Sequence, residues 1–138
     1  MGDSLRLWRD EMPRILIVDD SSGARRGMRR LVEENKSWEV CGEASDGREA
    51  IEGLQRTAPD IIILDFHMPI MNGLQAAREI VKLLPNAQIL LCTLYLSPAL
   101  VREARSAGIQ AMVSKGESEQ IVRGIEALLR HETFFCWN

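Results

Sequence analysis

Short aliphatic runs alternate with amphipathic stretches along the whole chain. Arg14-Ile-Leu-Ile-Val-Asp-Asp20 is a β-branched run stopped by two acids, the pattern of a strand buried on both faces. Ala24, Met28, Leu31 and Val32 then recur at helical spacing behind Ser21 or Ser22 as N-cap. Glu39 to Ala44 is a weaker, edge-like strand. Asp46 and Glu49 have capping-box spacing, and Ala50, Ile51 and Leu54 give the second helix its apolar face. After the break at Pro59-Asp60, Ile61-Ile-Ile-Leu-Asp65 is the clearest strand of all. Pro69 and Asn72-Gly73 mark a loop. A third helix carries Leu74, Ala77, Ile80, Val81 and Leu84 and stops at Pro85. Gln88 to Thr93 is a fourth strand. Ser97-Pro98 opens a fourth helix with a thin apolar face (Leu100, Val101, Ala104), closed by Gly108. Ile109 to Ser114 is a fifth strand, and Ile121, Val122, Ile125, Leu128 and Leu129 stripe a fifth helix capped by Ser118.

Five strands alternating with five helices predict a parallel sheet covered on both faces, a doubly wound three-layer α/β/α sandwich. The domain is expected over 14–130. Residues 1–13 form an N-terminal extension, and 131–138 a C-terminal tail or the start of a linker. In that tail Phe134, Phe135, Cys136 and Trp137 are apolar enough to pack back on the domain or to mediate a homodimer.

Composition narrows the function. With 138 residues the chain is one domain, long enough to bury a core without staples. A net charge of −3 and a pI near 5.4 argue against direct nucleic-acid binding. No run approaches the ~18 apolar residues of a membrane span, and Met1 to Met12 lacks the apolar centre of a secretory signal. Cys41 and Cys92 lie in apolar runs and are expected as buried thiols, which suits the cytoplasm. No phosphate-binding glycine motif follows the first strand, so a nucleotide-binding protein is disfavoured.

In open α/β sheets chemistry gathers outside the carboxyl ends of the strands. Here those ends carry Asp19-Asp20, Asp65, Thr93 and Lys115. Carboxylates ~5 Å apart at an effective dielectric of ~20 repel by ~3 kcal/mol per pair, so one holds a proton or a cation joins them. An all-oxygen acidic site suits Mg²⁺, or Mn²⁺, shared with phosphate oxygens. Thr93 and Lys115 then suit two further phosphoryl oxygens, and Asp65 becomes a nucleophile for phosphoryl transfer. Taken singly, each residue has a plainer reading. Asp19-Asp20 can cap a helix, Asp65 can be a turn residue, Thr93 an ordinary strand residue and Lys115 a solvated one.

Leu16-Ile-Val-Asp-Asp20, Ile63-Leu-Asp-Phe-His-Met-Pro69 with Asn72-Gly73, Leu91-Cys-Thr93 and Val113-Ser-Lys115 together resemble the receiver domain of bacterial two-component response regulators. The landmarks occur in order from about Arg14 to Arg130. The resemblance implies a flavodoxin-like fold with strand order 2-1-3-4-5, an order that comes with the family and not from composition or periodicity. It implies that Asp65 accepts a phosphoryl group from a sensor histidine kinase or a histidine phosphotransfer protein. Asp20, Asp65 and the backbone carbonyl of His67 would hold Mg²⁺ directly, and Asp19 through a water. Thr93 and Lys115 would bind the phosphoryl oxygens, and Thr93 would move. The only chemistry implied is self-phosphorylation and self-dephosphorylation, not turnover of a separate substrate.

Arg25, Arg26, Arg29 and Arg30 in the first helix, with Lys115 not followed by proline, resemble the subclass that usually carries a LuxR-type helix-turn-helix. Arg130 to Asn138 leaves no room for one, so a stand-alone receiver or an isolated domain is expected. The four arginines lie outside the apolar stripe and are expected to be a solvated face or a kinase-docking surface. Two positions depart from the family pattern. Met112 stands where an aromatic residue is usual, and Leu94 where a small residue follows the Thr. An aspartate-nucleophile phosphatase is a rival reading, but its second carboxylate is missing from Asp65-Phe-His67. A receiver fold used only for phosphorylation-independent binding is the other.

Overall fold

The computed structural model describes residues 12–135. The readings of segment 1–11 and of Cys136 and Trp137 fall outside the described residues. The strands are β1 (Arg14–Val18), β2 (Glu39–Ala44), β3 (Ile61–Asp65), β4 (Gln88–Thr93), β5 (Ala111–Ser114) and β6 (Phe134–Phe135). The helices are α1 (Ser22–Glu33), α2 (Gly47–Glu52), α3 (Leu54–Thr57), α4 (Gly73–Leu83), α5 (Pro98–Ser106) and α6 (Ser118–Leu129). All strand pairings are parallel, in the order β2-β1-β3-β4-β5-β6.

Period-two alternation explains the three layers. Leu16, Val18, Ile62, Leu64, Ile89, Leu91 and Met112 face one side, against Leu54, Leu74, Ala77, Ile80, Val101 and Ala104 of α3, α4 and α5. Ile15, Ile17, Ile61, Ile63, Leu90, Cys92 and Val113 face the other, against Met28 and Val32 of α1 and Ile121, Ile125 and Leu128 of α6. Both faces are dry, so the strands read as unbroken aliphatic runs. Each such side chain removed from water contributes ~1.5–3 kcal/mol.

The structure departs from the sequence reading at several places. The sheet has six strands, not five, because the supposed tail returns to pair with β5. His131 adopts a left-handed φ of 59° after α6. The His131 amide donates to the Leu128 carbonyl at 2.9 Å, and the Glu132 amide to the Ala127 carbonyl at 2.9 Å. This is a Schellman ending, and it turns the chain back along β5. The fifth strand begins at Ala111 rather than Ile109. The second helix is two pieces, broken at Gly53 and ended by Ala58 at φ 44°. Arg14 satisfies the open end of α3, its Nη2 donating to the Thr57 carbonyl at 2.8 Å. Ser118 is not the cap of α6: Glu117 holds that position, with no side-chain hydrogen bond. Asp46 caps α2 as expected, but Glu49 returns its bond to the Ser45 amide rather than to Asp46. The reciprocal capping box forms instead between Asn72 and Gln75 at α4, where the sequence showed a turn signal. Cys41 is only half-buried, since the β1–β2 register skips from Val40 to Gly42. Burial still pushes its thiol up to about 11, and that of the fully enclosed Cys92 up to about 12, so neither is a ready nucleophile.

Candidate functional site

β1, β3, β4 and β5 lie side by side, so their carboxyl ends meet on one rim. β1 delivers Asp19. Its amide donates to the Ala44 carbonyl at 3.1 Å, and its Oδ1 accepts from the Ser21 amide at 2.9 Å. That bond fixes the turn into α1, which Ser21 then caps by accepting from the Ala24 amide. Arg25 Nη1 donates to the Asp19 carbonyl at 2.6 Å, and its Nε to Glu43 at 3.0 Å. Arg25 therefore ties the end of β1 to β2. Sequence patterning placed it on a solvated face or a kinase-docking surface, because nothing in the helical spacing shows that Glu43 stands opposite. Arg29 also pairs with Glu43, and Arg26 and Arg30 are exposed.

β3 delivers Asp65. The Phe66 carbonyl just beyond it accepts from the Gly73 amide at 2.8 Å. A Cβ on Gly73 would lie 2.7 Å from the Asp65 carbonyl oxygen, so only glycine lets α4 start this close to the strand end. Between them, the Met71 amide bonds the Pro69 carbonyl at 2.8 Å across Ile70, whose φ is 75°. This is a three-residue γ-turn, strained at a β-branched centre. Ile70 is 70% exposed and packs little. Ile70→Gly should therefore raise stability by about 1 kcal/mol, strain relief exceeding the added chain entropy, in a thermal denaturation series.

Asp19 and Asp65 are buried, whereas Asp20 is exposed. One oxygen from each of the three lies within 4.8 Å of the others. Lys115, at the end of β5, places Nζ 3.0 Å from Asp19 Oδ2 and 3.2 Å from Asp65 Oδ2. These are ion-pair distances without hydrogen-bond alignment, and Asp19 Oδ2 and both Asp65 oxygens receive no aligned donor. Two buried carboxylates thus share one ammonium, with the exposed Asp20 beside them. Burial, and then the charge of Asp19, push the Asp65 carboxyl above its ordinary range against the opposing pull of Lys115. Burial lowers the Lys115 pKa, but the close charges of Asp19 and Asp65 together outweigh that and leave it raised.

The structure brings Asp19, Asp20, Asp65 and Lys115 into one cluster. Thr93 stands on the same rim, its carbonyl accepting from the Lys115 amide at 2.8 Å. Its buried hydroxyl accepts from the Tyr95 amide at 3.2 Å, and among the described residues no hydrogen bond joins it to the acids. The His67 ring is exposed and meets the Phe66 ring edge-on, with centroids 4.8 Å apart. A cavity of about 240 Å³ opens beside the cluster between α1 and α6, walled mainly by Met28, Leu31 and Ile121, with Asp19 and Lys115 at its polar end. Sequence patterning did not reveal it.

A family profile described as response regulator receiver domain matches residues 15–126. The chain is 41% identical over 115 residues to the chemotaxis protein CheY of Thermotoga maritima, covering 83% of this chain and 93% of that protein. It is 34% identical over 111 residues to the response regulator UvrY of Escherichia coli, covering 80% of this chain but only 51% of the relative. Its fold superposes with a TM-score of 0.85 on a LuxR-family two-component response regulator from Aurantimonas sp. SI85-9A1, at 34% identity and covering 89% of each chain. The acidic rim, the flavodoxin-like sheet and these matches agree, and the chain belongs to the response regulator receiver domain family.

Proposed function

We propose that Asp65 accepts a phosphoryl group from a phosphohistidine of a sensor kinase or phosphotransfer protein. An Asp65 carboxylate oxygen forms the new O–P bond as the P–N bond breaks, and the electron pair leaves on the imidazole nitrogen. The carrying observation is the set of underbonded acid oxygens: three carboxylates within 4.8 Å, two of them buried, with one ammonium between them. That donor set is hard and all-oxygen, and it fits Mg²⁺ or Mn²⁺. Asp20, Asp65 and the His67 carbonyl would hold the ion directly, and Asp19 through a water. Bound there, the ion supplies neutralisation of phosphoryl charge.

The chain's own residues do the rest. Lys115 holds one phosphoryl oxygen through its ammonium. Thr93 turns its hydroxyl from the Tyr95 amide toward another, which loosens the segment leading to α5 and shifts a two-state equilibrium. The chemistry is stoichiometric acceptance followed by self-hydrolysis. The partners are the phosphodonor and, in the active form, a second copy; with a net charge of −3 this chain does not itself grip nucleic acid. Among the described residues no helix is long and apolar enough to cross a membrane, and a cytoplasmic setting is proposed.

Incubation with acetyl phosphate and Mg²⁺ tests the reading. Mass spectrometry should show a gain of one phosphoryl group, mapped to Asp65, and none when Mg²⁺ is chelated. An unlabelled wild-type protein would leave the binding-only reading standing. Leu94, 61% exposed beside Thr93, narrows the approach of water. Leu94→Ala should speed loss of the phosphoryl group several-fold, read from the decay of the labelled species.

A further inference from the structure

We propose that β6 is a clasp on the α5 side of the domain, and that its docking and ligation of the acidic site oppose one another. The proposal rests on the phosphoryl-site reading above and adds a regulatory element to it. Phe134 and Phe135 straddle the edge of the sheet, in register with Ala111 and Met112 of β5. Phe134 packs on the α6 side, where a Cβ on Gly124 would come 3.6 Å from its ring. Phe135 packs on the opposite side, in the group that includes Met112, Val101 and Ala104. The guanidinium of Arg105, in the last turn of α5, lies 4.1 Å above its ring, so the strand holds α5 by a cation–π contact as well as by packing.

α5 otherwise has little grip, with Val101 and Ala104 its only buried residues. Its other tether is the segment from Thr93 to the capping Ser97, fixed by the Thr93 hydroxyl on the Tyr95 amide. Both tethers belong to one arrangement of α5. A ligand on Asp65 that draws the Thr93 hydroxyl away releases the first tether. The second then resists the shift, because Arg105 must leave the Phe135 ring. Linkage makes the effect reciprocal: whatever β6 docking takes from ligand affinity, the ligand takes from β6 docking by the same factor.

The test uses the full 138-residue chain with beryllofluoride and Mg²⁺ as the probe. The Phe134 amide, bonded to the Gln110 carbonyl at 3.0 Å, reports docking by hydrogen exchange. Saturating probe should lower its protection by about fivefold, and Phe135→Ala should bind the probe about fivefold tighter than wild type. Arg105→Ala, an exposed change that keeps the ring and the fold, should move affinity the same way by a smaller factor. Unchanged Phe134 protection in the ligated wild type, with equal probe affinity in Arg105→Ala, overturns the clasp and leaves the phosphoryl site intact. Absence of probe binding to wild type, read by fluorine NMR, instead overturns the phosphoryl-site reading and the clasp with it.

Discussion

Asp65→Asn should end labelling by acetyl phosphate and, in the same protein, raise its stability at neutral pH. The first effect follows from chemistry, since a neutral amide oxygen is no nucleophile for phosphorus. The second follows from the electrostatics of the rim. Asp65 is buried against Asp19 with a single shared ammonium, and its carboxyl is held above the ordinary range, chiefly by burial. A raised carboxyl contributes stability that is fully present below its unfolded value of 3.8 and is lost as pH rises through the folded value. Above the folded value that contribution is gone, and the charged form works against the fold. Repulsion of ~3 kcal/mol per pair, offset in part by Lys115, leaves a gain of about 1–2 kcal/mol for the asparagine. Urea unfolding in chelator should show this gain at pH 7 and its disappearance near pH 4, to within ~0.5 of a pH unit. On the proposed reading, added Mg²⁺ should stabilise the wild type more than the variant, because an ion held by the native rim would lose one of its ligands in the variant. A variant that is less stable than wild type at pH 7 in chelator would contradict the account.

Much of this rim was legible in the sequence for a simple reason. A strand covered on both faces is an uninterrupted aliphatic run, so the first polar residue after it is the residue at the sheet edge. Asp19, Asp65 and Thr93 were each found that way, Lys115 one residue further on behind Ser114, and parallel order brought them together. Side-chain partners were not legible. Arg25 looked like surface because its acceptors, Glu43 and the Asp19 carbonyl, come from β2 and β1. The direction of the Thr93 hydroxyl depends on a rotamer, and spacing carries no rotamers. The sixth strand was missed for another reason. Two residues have no period, and the signal that turns them back is a left-handed His131, not the glycine or asparagine that usually marks such an ending. The split of the second helix at Gly53 and the uncapped start of α6 are likewise local backbone outcomes, which side-chain patterning does not set.

Lys115→Ala should move the fold in the opposite direction to Asp65→Asn. The ammonium is the only cation that the structure places against Asp19 Oδ2 and Asp65 Oδ2 among the described residues, and its removal leaves two buried carboxylates facing each other. Breaking a fully buried pair costs about 3–5 kcal/mol, but Lys115 keeps 28% of its side chain in water and Asp65 is able to take a proton, so about 1–3 kcal/mol is expected. The deficit should shrink on acidification as Asp65 protonates, and shrink again when Mg²⁺ replaces the lost positive charge. Labelling by acetyl phosphate should still fall by about 10²–10³-fold, since the ion would not supply the contact that the proposed function gives Lys115 to the transferring group. Charge alone accounts for the stability loss if Lys115→Arg restores most of it in urea unfolding. The two substitutions must also be non-additive. In an Asp65→Asn background the lysine has one buried carboxylate left to neutralise, so its removal should cost at least about 0.5 kcal/mol less than in wild type. Strict additivity in that double-mutant cycle would mean that Lys115 and Asp65 do not sense each other across the 3.2 Å that separates them.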